Sequence, residues 1–255
     1  MSEHVRLARD GAVLNVTLAR PERRNAITVA MYGALADAIE GASSDDSIRV
    51  VTIRGDGQDF AAGNDLADFL ATEQRLGEEI PVWRLLRVLA TCETPIVAAV
   101  HGNCVGIGTT MLLHCDLVVA EEGARFSMPF IDLGLVPEAA SSLLLPRIAG
   151  RRMAARYLLL GEAFGVDEAL AIGLVSHRAA AGELQTMADT ITEQLLAKPP
   201  DALRATQRLL RHGSSDEILE RMKVEGALFA ERLNSPEVKQ AISAFFERRG
   251  PNRAA

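Results

Sequence analysis

The run Pro95-Ile96-Val97-Ala98-Ala99-Val100 carries no polar side chain and passes directly into a Gly-rich loop, His101-Gly102-Asn103-Cys104-Val105-Gly106-Ile107-Gly108. An uninterrupted apolar strand belongs inside a sheet that is covered on both faces, because alternation of apolar and polar side chains marks a sheet with one wet face. The chain must therefore supply helices for two sides of a sheet. Its 255 residues and 48% hydrophobic content are enough for one large domain, or for one domain with a small appendage. Aromatics make up only 4%, so aliphatic side chains and Ala must fill the core.

Other elements follow from local pattern. Val5–Arg9 and Ala12–Leu18 flank Asp10-Gly11, a two-residue hairpin signal. A helix with Thr28 as N-cap presents Met31, Leu35, Ala38 and Ile39 at helical spacing. Val50–Arg54 reads as a buried strand, and a helix follows through Leu66, Phe69 and Leu70 with Asp65 at its start. The charged, Gly-containing stretch between Ala71 and Ile80 is a candidate lid, and Pro81 to Ala90 reads as helix. The Gly loop leads into a helix from about Gly106 to His114, then short strands at Asp116–Ala120 and Arg125–Met128. Beyond about Thr186 only helices are expected, punctuated by Pro199-Pro200 and Gly213 and opened by Ser214-Ser215-Asp216-Glu217 and Ser235-Pro236-Glu237. The third of these helices is apolar around much of its circumference, which suits packing against another subunit.

Two small-residue loops carry the functional signal. Phe60-Ala61-Ala62-Gly63-Asn64-Asp65 and the Gly loop each lead into a helix start, where a backbone N–H has no intrahelical partner. Gly and Ala let a ligand approach the backbone. If the loops converge, the Asn64 and Ile107 N–H groups can share one oxygen and stabilise charge that develops on it. Ordinary strand-to-helix turns are the alternative. A base is needed beside such a hole, and Glu138 is the candidate: it follows Pro137, precedes Ala139-Ala140-Ser141-Ser142 and comes after an apolar stretch, which suits a desolvated general base. An exposed first-turn Glu serving a helix dipole is the alternative here.

Several classes are disfavoured. A net charge of −7 argues against a general nucleic-acid binder. Cys92, Cys104 and Cys115 form no C-x-x-C pair, and the apolar neighbours of His101, Cys104, His114 and Cys115 favour buried structural Cys over a metal site. Gly106-x-Gly108 lacks the rest of a dinucleotide fingerprint, and neither a nucleophile elbow nor a phosphate-binding P-loop occurs. Met1 to Asp10 has no apolar signal-peptide core, no run is long enough to span a bilayer, and the C-terminus is not a peroxisomal address, so a cytoplasmic location is expected.

Taken in order, Arg20-Pro21-Glu22 with Asn25-Ala26, Phe60 to Leu66, Pro95 to Gly102, Cys115-Asp116-Leu117 and Ala169 with Gly173-Leu174-Val175 resemble the crotonase (enoyl-CoA hydratase/isomerase) superfamily. The resemblance covers nearly the whole chain. It implies an α/β spiral of strand–strand–helix units over residues 1–195 and a helical oligomerisation region over 196–255, assembled as trimers or as hexamers of paired trimers. It implies an acyl-CoA substrate in fatty-acid or other lipid metabolism, with coenzyme A as part of the substrate and no separate cofactor. The thioester oxygen would sit on the Asn64 and Ile107 amides beside Gly106. Ala61, Ala62 and Gly63 would meet the coenzyme, and Arg23 or Arg24 would lie near its phosphates.

The departures from the family pattern bear on the reaction. Thr110 and Phe130 stand where hydratases of the family place their two Glu residues, so both are expected to line an acyl pocket. Glu138 matches the single catalytic acid of Δ3,Δ2-enoyl-CoA isomerases. An isomerase is thus the reading favoured here, with enoyl-CoA hydratase (Asp132 then being the nearest spare carboxylate) or another crotonase-type reaction as the alternative. A non-catalytic acyl-CoA-binding member is the second class.

Overall fold

The computed structural model describes residues 2–71, 80–211, 213 and 215–249. Six strands form the main sheet in the order β1-β2-β3-β4-β6-β9: β1 Val5–Asp10, β2 Val13–Leu18, β3 Val50–Gly55, β4 Ile96–Val100, β6 Leu117–Glu121 and β9 His177–Ala179. Only β1 runs antiparallel to its neighbour. A second sheet joins β5 Asn103–Val105, β7 Arg125–Ser127 and β8 Phe164–Gly165. The helices are α1 Val29–Ser44, α2 Leu66–Ala71, α3 Pro81–Thr91, α4 Ile107–Thr110, α5 Ser141–Leu159, α6 Val166–Ala171, α7 Leu184–Leu196, α8 Pro200–Arg211, α9 Ser215–Leu233 and α10 Pro236–Arg249. Among the described residues no helix is long and apolar enough to cross a membrane.

The apolar strand is buried along its whole length, as its composition requires. Ile96, Ala98 and Val100 enter the large core, whereas Val97 and Ala99 enter a smaller cluster with Val50, Val119, Ala179, Ala188 and Ile191. The period of two along a strand thus sends alternate residues to opposite faces, one covered by α1 and α3 and the other by α7. Asp116 fixes the start of β4 by accepting the Ile96 N–H at 2.8 Å, and is itself held by Gln207 at 2.6 Å and Arg211 at 3.2 Å from α8.

α1 begins where expected: Thr28 caps it through the Met31 N–H at 3.3 Å, and Met31, Leu35, Ala38 and Ile39 are all buried. Three elements differ from the sequence reading. The β1–β2 hairpin pairs Asp10 with Val13, so its turn is Gly11-Ala12 instead of Asp10-Gly11, with φ +54° at Gly11. The Gly loop contains a strand, β5, because its backbone pairs with β7 although its side chains carry no strand signal. The helix after it is one turn of α4, continued as a tighter 3-10 turn over Met111–His114.

The candidate lid at 72–79 and the Ser214 capping position lie outside the described residues. Ser235 does cap α10, accepting the Val238 N–H at 3.3 Å. Helices beyond residue 196 share the core of the rest of the chain, since Ile218, Met222, Phe229, Val238 and Ile242 join the large cluster.

Candidate active site

The two small-residue loops meet. Ala61 donates its N–H to Asn103 O at 3.1 Å, and Val105 donates to Ala61 O at 2.9 Å, a short stretch of parallel pairing between distant segments. A Cβ on Gly106 would lie 3.8 Å from the Gly63 Cα, and one on Gly63 would lie 3.3 Å from Val105 O. Both glycines have positive φ, +89° and +55°. A side chain at either position would strain the backbone, and one on Gly63 would also crowd Val105 O.

The first loop is anchored from β2 and the turn after it. Asn25 is fully buried, and its side chain donates to Asp56 O and Asp59 O, both at 2.8 Å. Asp65 caps α2 through the Ala67 and Asp68 amides, both at 3.2 Å, and pairs with Arg20 at 2.7 Å. Burial pushes Asp65 up, but the Arg20 hydrogen bond and the Asp68 amide outweigh it and hold the carboxyl below its ordinary range. Ile27 donates to Gly63 O at 2.8 Å and Asp65 donates to Ile27 O at 2.9 Å, which leaves the Asn64 amide between them unused. Ile107 opens α4, where an intrahelical acceptor is absent. Among the described residues, neither the Asn64 nor the Ile107 N–H donates a hydrogen bond. The convergence therefore offers two spare donors on adjoining backbone.

Glu138 is buried, and its Oε1 has no hydrogen-bond partner. This disposes of the exposed first-turn alternative. Burial, reinforced by the charge of Glu225, pushes its carboxyl up to about 8. Tyr32, a residue the sequence reading did not single out, joins the two halves of the site. Its hydroxyl donates to the Asn64 side chain at 2.5 Å, and burial followed by the Glu138 charge raises its own titration well above the ordinary value. Its only sequence signal is a position next to Met31 on the buried side of α1. Glu225, also missed, accepts the Ala140 N–H at 2.7 Å and the Ser142 N–H at 2.9 Å from α9. No local pattern could have linked residues so far apart.

The remaining predicted residues fall around this centre. Ala61, Gly63, Gly106, Thr110 and Phe130 are buried and Ala62 is half-buried. The Thr110 hydroxyl is buried without a partner. Arg23 and Arg24 are largely exposed, loosely paired with Asp65 at 3.9 Å and Asp59 at 3.7 Å, so neither is tied down. Asp132 is exposed on a 3-10 turn close to Gly161, after α5. His114 is buried, donates from Nε2 to Ala139 O at 2.8 Å, and is pushed down to about 4, chiefly by burial. It is thus a neutral core residue. A buried carboxyl with a raised affinity for protons, linked through Tyr32 to the loop that holds one of two spare N–H donors, suits moving a proton on a carbon next to a carbonyl while the carbonyl oxygen takes up charge.

The fold and this site define a class: a crotonase-type spiral whose small-residue loops meet beside a buried acid. A model of the family described as enoyl-CoA hydratase/isomerase matches residues 8–254, and the chain belongs to that family. The 2,3-dehydroadipyl-CoA hydratase of Escherichia coli is 33% identical, across 99% of this chain and 98% of that protein. Enoyl-CoA delta isomerase 2 of Rattus norvegicus is 30% identical, across 97% of this chain and 64% of that protein. A crystal structure of an enoyl-CoA hydratase/isomerase from Pseudoalteromonas atlantica T6c superposes with a TM-score of 0.91 at 42% identity, covering 98% of this chain and 99% of the other. The protein is accordingly a crotonase-type acyl-CoA enzyme.

Proposed function

We propose that this enzyme is a Δ3,Δ2-enoyl-CoA isomerase that uses Glu138 as its single base. The observation that carries the reading is the buried Glu138 carboxyl, whose Oε1 has no partner and whose charge acts on Tyr32, the residue that donates to Asn64. The thioester oxygen accepts hydrogen bonds from the Asn64 and Ile107 amides. Glu138 takes a proton from C2, and the electron pair released spreads through the 3,4 double bond and onto that oxygen. The resulting dienolate takes the proton back at C4, which leaves the double bond at C2–C3 in conjugation with the thioester. One carboxyl serves both transfers because C2 and C4 lie on one face of the bound chain. Each donor in such a hole is worth about 3 kcal/mol, so the pair supplies a large part of the rate.

Ala61, Ala62 and Gly63 line the path of the coenzyme, and either Arg23 or Arg24, both open to solvent, reaches its phosphates. Thr110 and Phe130 shape the acyl pocket. Neither supplies a carboxylate, so the pair of acids that would hold an added water is missing at these positions. Assembly as a trimer or hexamer, through faces that include the exposed Leu209 and Leu210 of α8, completes the reading.

The decisive experiment gives the purified protein 3-enoyl-CoA and 2-enoyl-CoA side by side. Formation of the conjugated thioester from the 3-enoyl substrate, much faster than hydration of the 2-enoyl one, is expected. Hydration that outruns isomerisation overturns the assignment and turns attention to Asp132. Tight binding of the ester with no turnover of either substrate points instead to a binding protein.

A further inference from the structure

The backbone that carries Glu138 is held in an uncommon shape. Ala139 and Ala140 both have positive φ, +58° and +55°. Left-handed backbone costs an L-residue roughly 1–2 kcal/mol, so two alanines in succession need outside support. Three side chains give it. His114 donates to Ala139 O at 2.8 Å, and Ser141 Oγ donates to Glu138 O at 2.6 Å. The third is Glu225, whose two oxygens accept the Ala140 and Ser142 amides at 2.7 and 2.9 Å. Those amides open α5, where the helix dipole favours negative charge. Glu225 is buried, yet both of its oxygens are satisfied, whereas Glu138 Oε1 has nothing. Of two neighbouring buried acids, the one with charge-assisted hydrogen bonds keeps its charge more easily.

We propose that Glu225 is a positioning residue for Glu138: reaching from α9, its carboxylate pins the two left-handed alanines that aim the base, and it sets a like charge beside that base. This rests on the reading of Glu138 as the base. The groups around the pair are Tyr32 from α1, His114 from the 3-10 turn after α4, and Arg221 from α9 itself, whose guanidinium lies 3.4 Å from Ser142 Oγ. Arg211 on α8 acts on His114. Burial raises the Glu225 carboxyl above its ordinary range, while the hydrogen bonds from Ser142 and Ala140, and then Arg221, work to keep it charged. The consequence is a stronger base than an ordinary Glu, matched to a weakly acidic C2 proton, and delivered by the C-terminal helices to a site otherwise built by the spiral.

The test uses the intact enzyme and two readouts. Infrared difference spectra against Glu138→Gln follow the Glu138 carboxyl directly, and kcat and KM are measured across pH. In wild type the carboxyl should titrate near 8. In Glu225→Gln the midpoint and the acid limb of kcat should move to lower pH by about one pH unit or more, with kcat down about tenfold and KM within about twofold. Glu225→Asp keeps the charge but is too short to bridge both amides, so its midpoint should stay high while kcat falls about tenfold. A wild-type midpoint and wild-type kcat in Glu225→Gln overturn the proposal. If Glu225→Gln does not fold, a wild-type kcat in Glu225→Asp overturns it instead. Should Glu138→Gln retain isomerase turnover, the reaction assigned above fails, but the infrared midpoint still reports whether Glu225 acts on Glu138.

Discussion

Glu138 is the residue on which the proposed reaction rests, and the raised affinity of its carboxyl for protons comes from burial and from Glu225 on α9. Its replacement by Gln keeps the size and removes the base. Turnover of 3-enoyl-CoA should fall by roughly a thousandfold, with the dissociation constant for the acyl-CoA ester little changed, as read by steady-state kinetics and calorimetry. The wild-type kcat/KM should climb with pH through about 8, because only the ionised carboxylate accepts a proton.

The same burial acts on stability. Glu138 binds protons more tightly folded than unfolded, so the native state is favoured below the ordinary Glu range and loses that advantage as pH rises towards about 8. Glu138→Gln has no charge to bury. Its melting temperature should therefore match wild type near pH 4 and exceed it by several degrees at pH 9, a comparison that thermal denaturation at the two pH values decides. Glu138 was legible as a candidate from Pro137 before it and the small residues after it. Its burial was legible only as one of two alternatives, since Tyr32 and Glu225, which decide its surroundings, come from α1 and α9.

Among the elements, those set by nearest neighbours were readable, and those set by pairing at a distance were not. Thr28 capped α1, and the apolar run became β4, because each depends on residues a few positions away. β5 carried no local signal because its strand character comes from hydrogen bonds to β7, some twenty residues on, and to Ala61, some forty residues back. Glycine positions show the same division. Gly123 and Gly102 both have positive φ, but a Cβ on Gly123 would meet nothing, whereas one on Gly102 would fall 1.9 Å from Gln58 O. Gly123→Ala should cost about 1 kcal/mol in urea denaturation. Gly102→Ala, where backbone must move, should cost at least about 3 kcal/mol and disturb the pairing of the two loops, with turnover lost alongside stability.

For the whole molecule, the C-terminal helices join the core and, through Glu225, hold the backbone after Glu138. The single Trp, Trp83 on α3, lies against Gly226 of α9: a Cβ there would sit 1.7 Å from the Trp83 ring. Gly226 neighbours Glu225, so this contact packs α9 against α3 next to that residue. Gly226→Ala should force the ring aside, shift the Trp fluorescence and destabilise the fold by about 1–3 kcal/mol. A mass of three or six chains by light scattering is the outcome expected if the exposed leucines of α8 are covered by other subunits.

The sequence by itself determined the β4 core strand, the α1 cap, the order of motifs that places the chain in its family, and the residue types at Asn64, Ile107 and Glu138. These features are local, or they are spaced signatures that survive without a map of contacts. Only the tertiary structure decided that Ala61 pairs with Asn103 and Val105 to join the two loops, that Tyr32 bridges to Asn64, and that Glu225 holds the turn behind Glu138. The reason is physical: a donor, its acceptor and the burial that makes both matter are brought together by packing between segments far apart in the chain, and no local periodicity encodes which of them will meet.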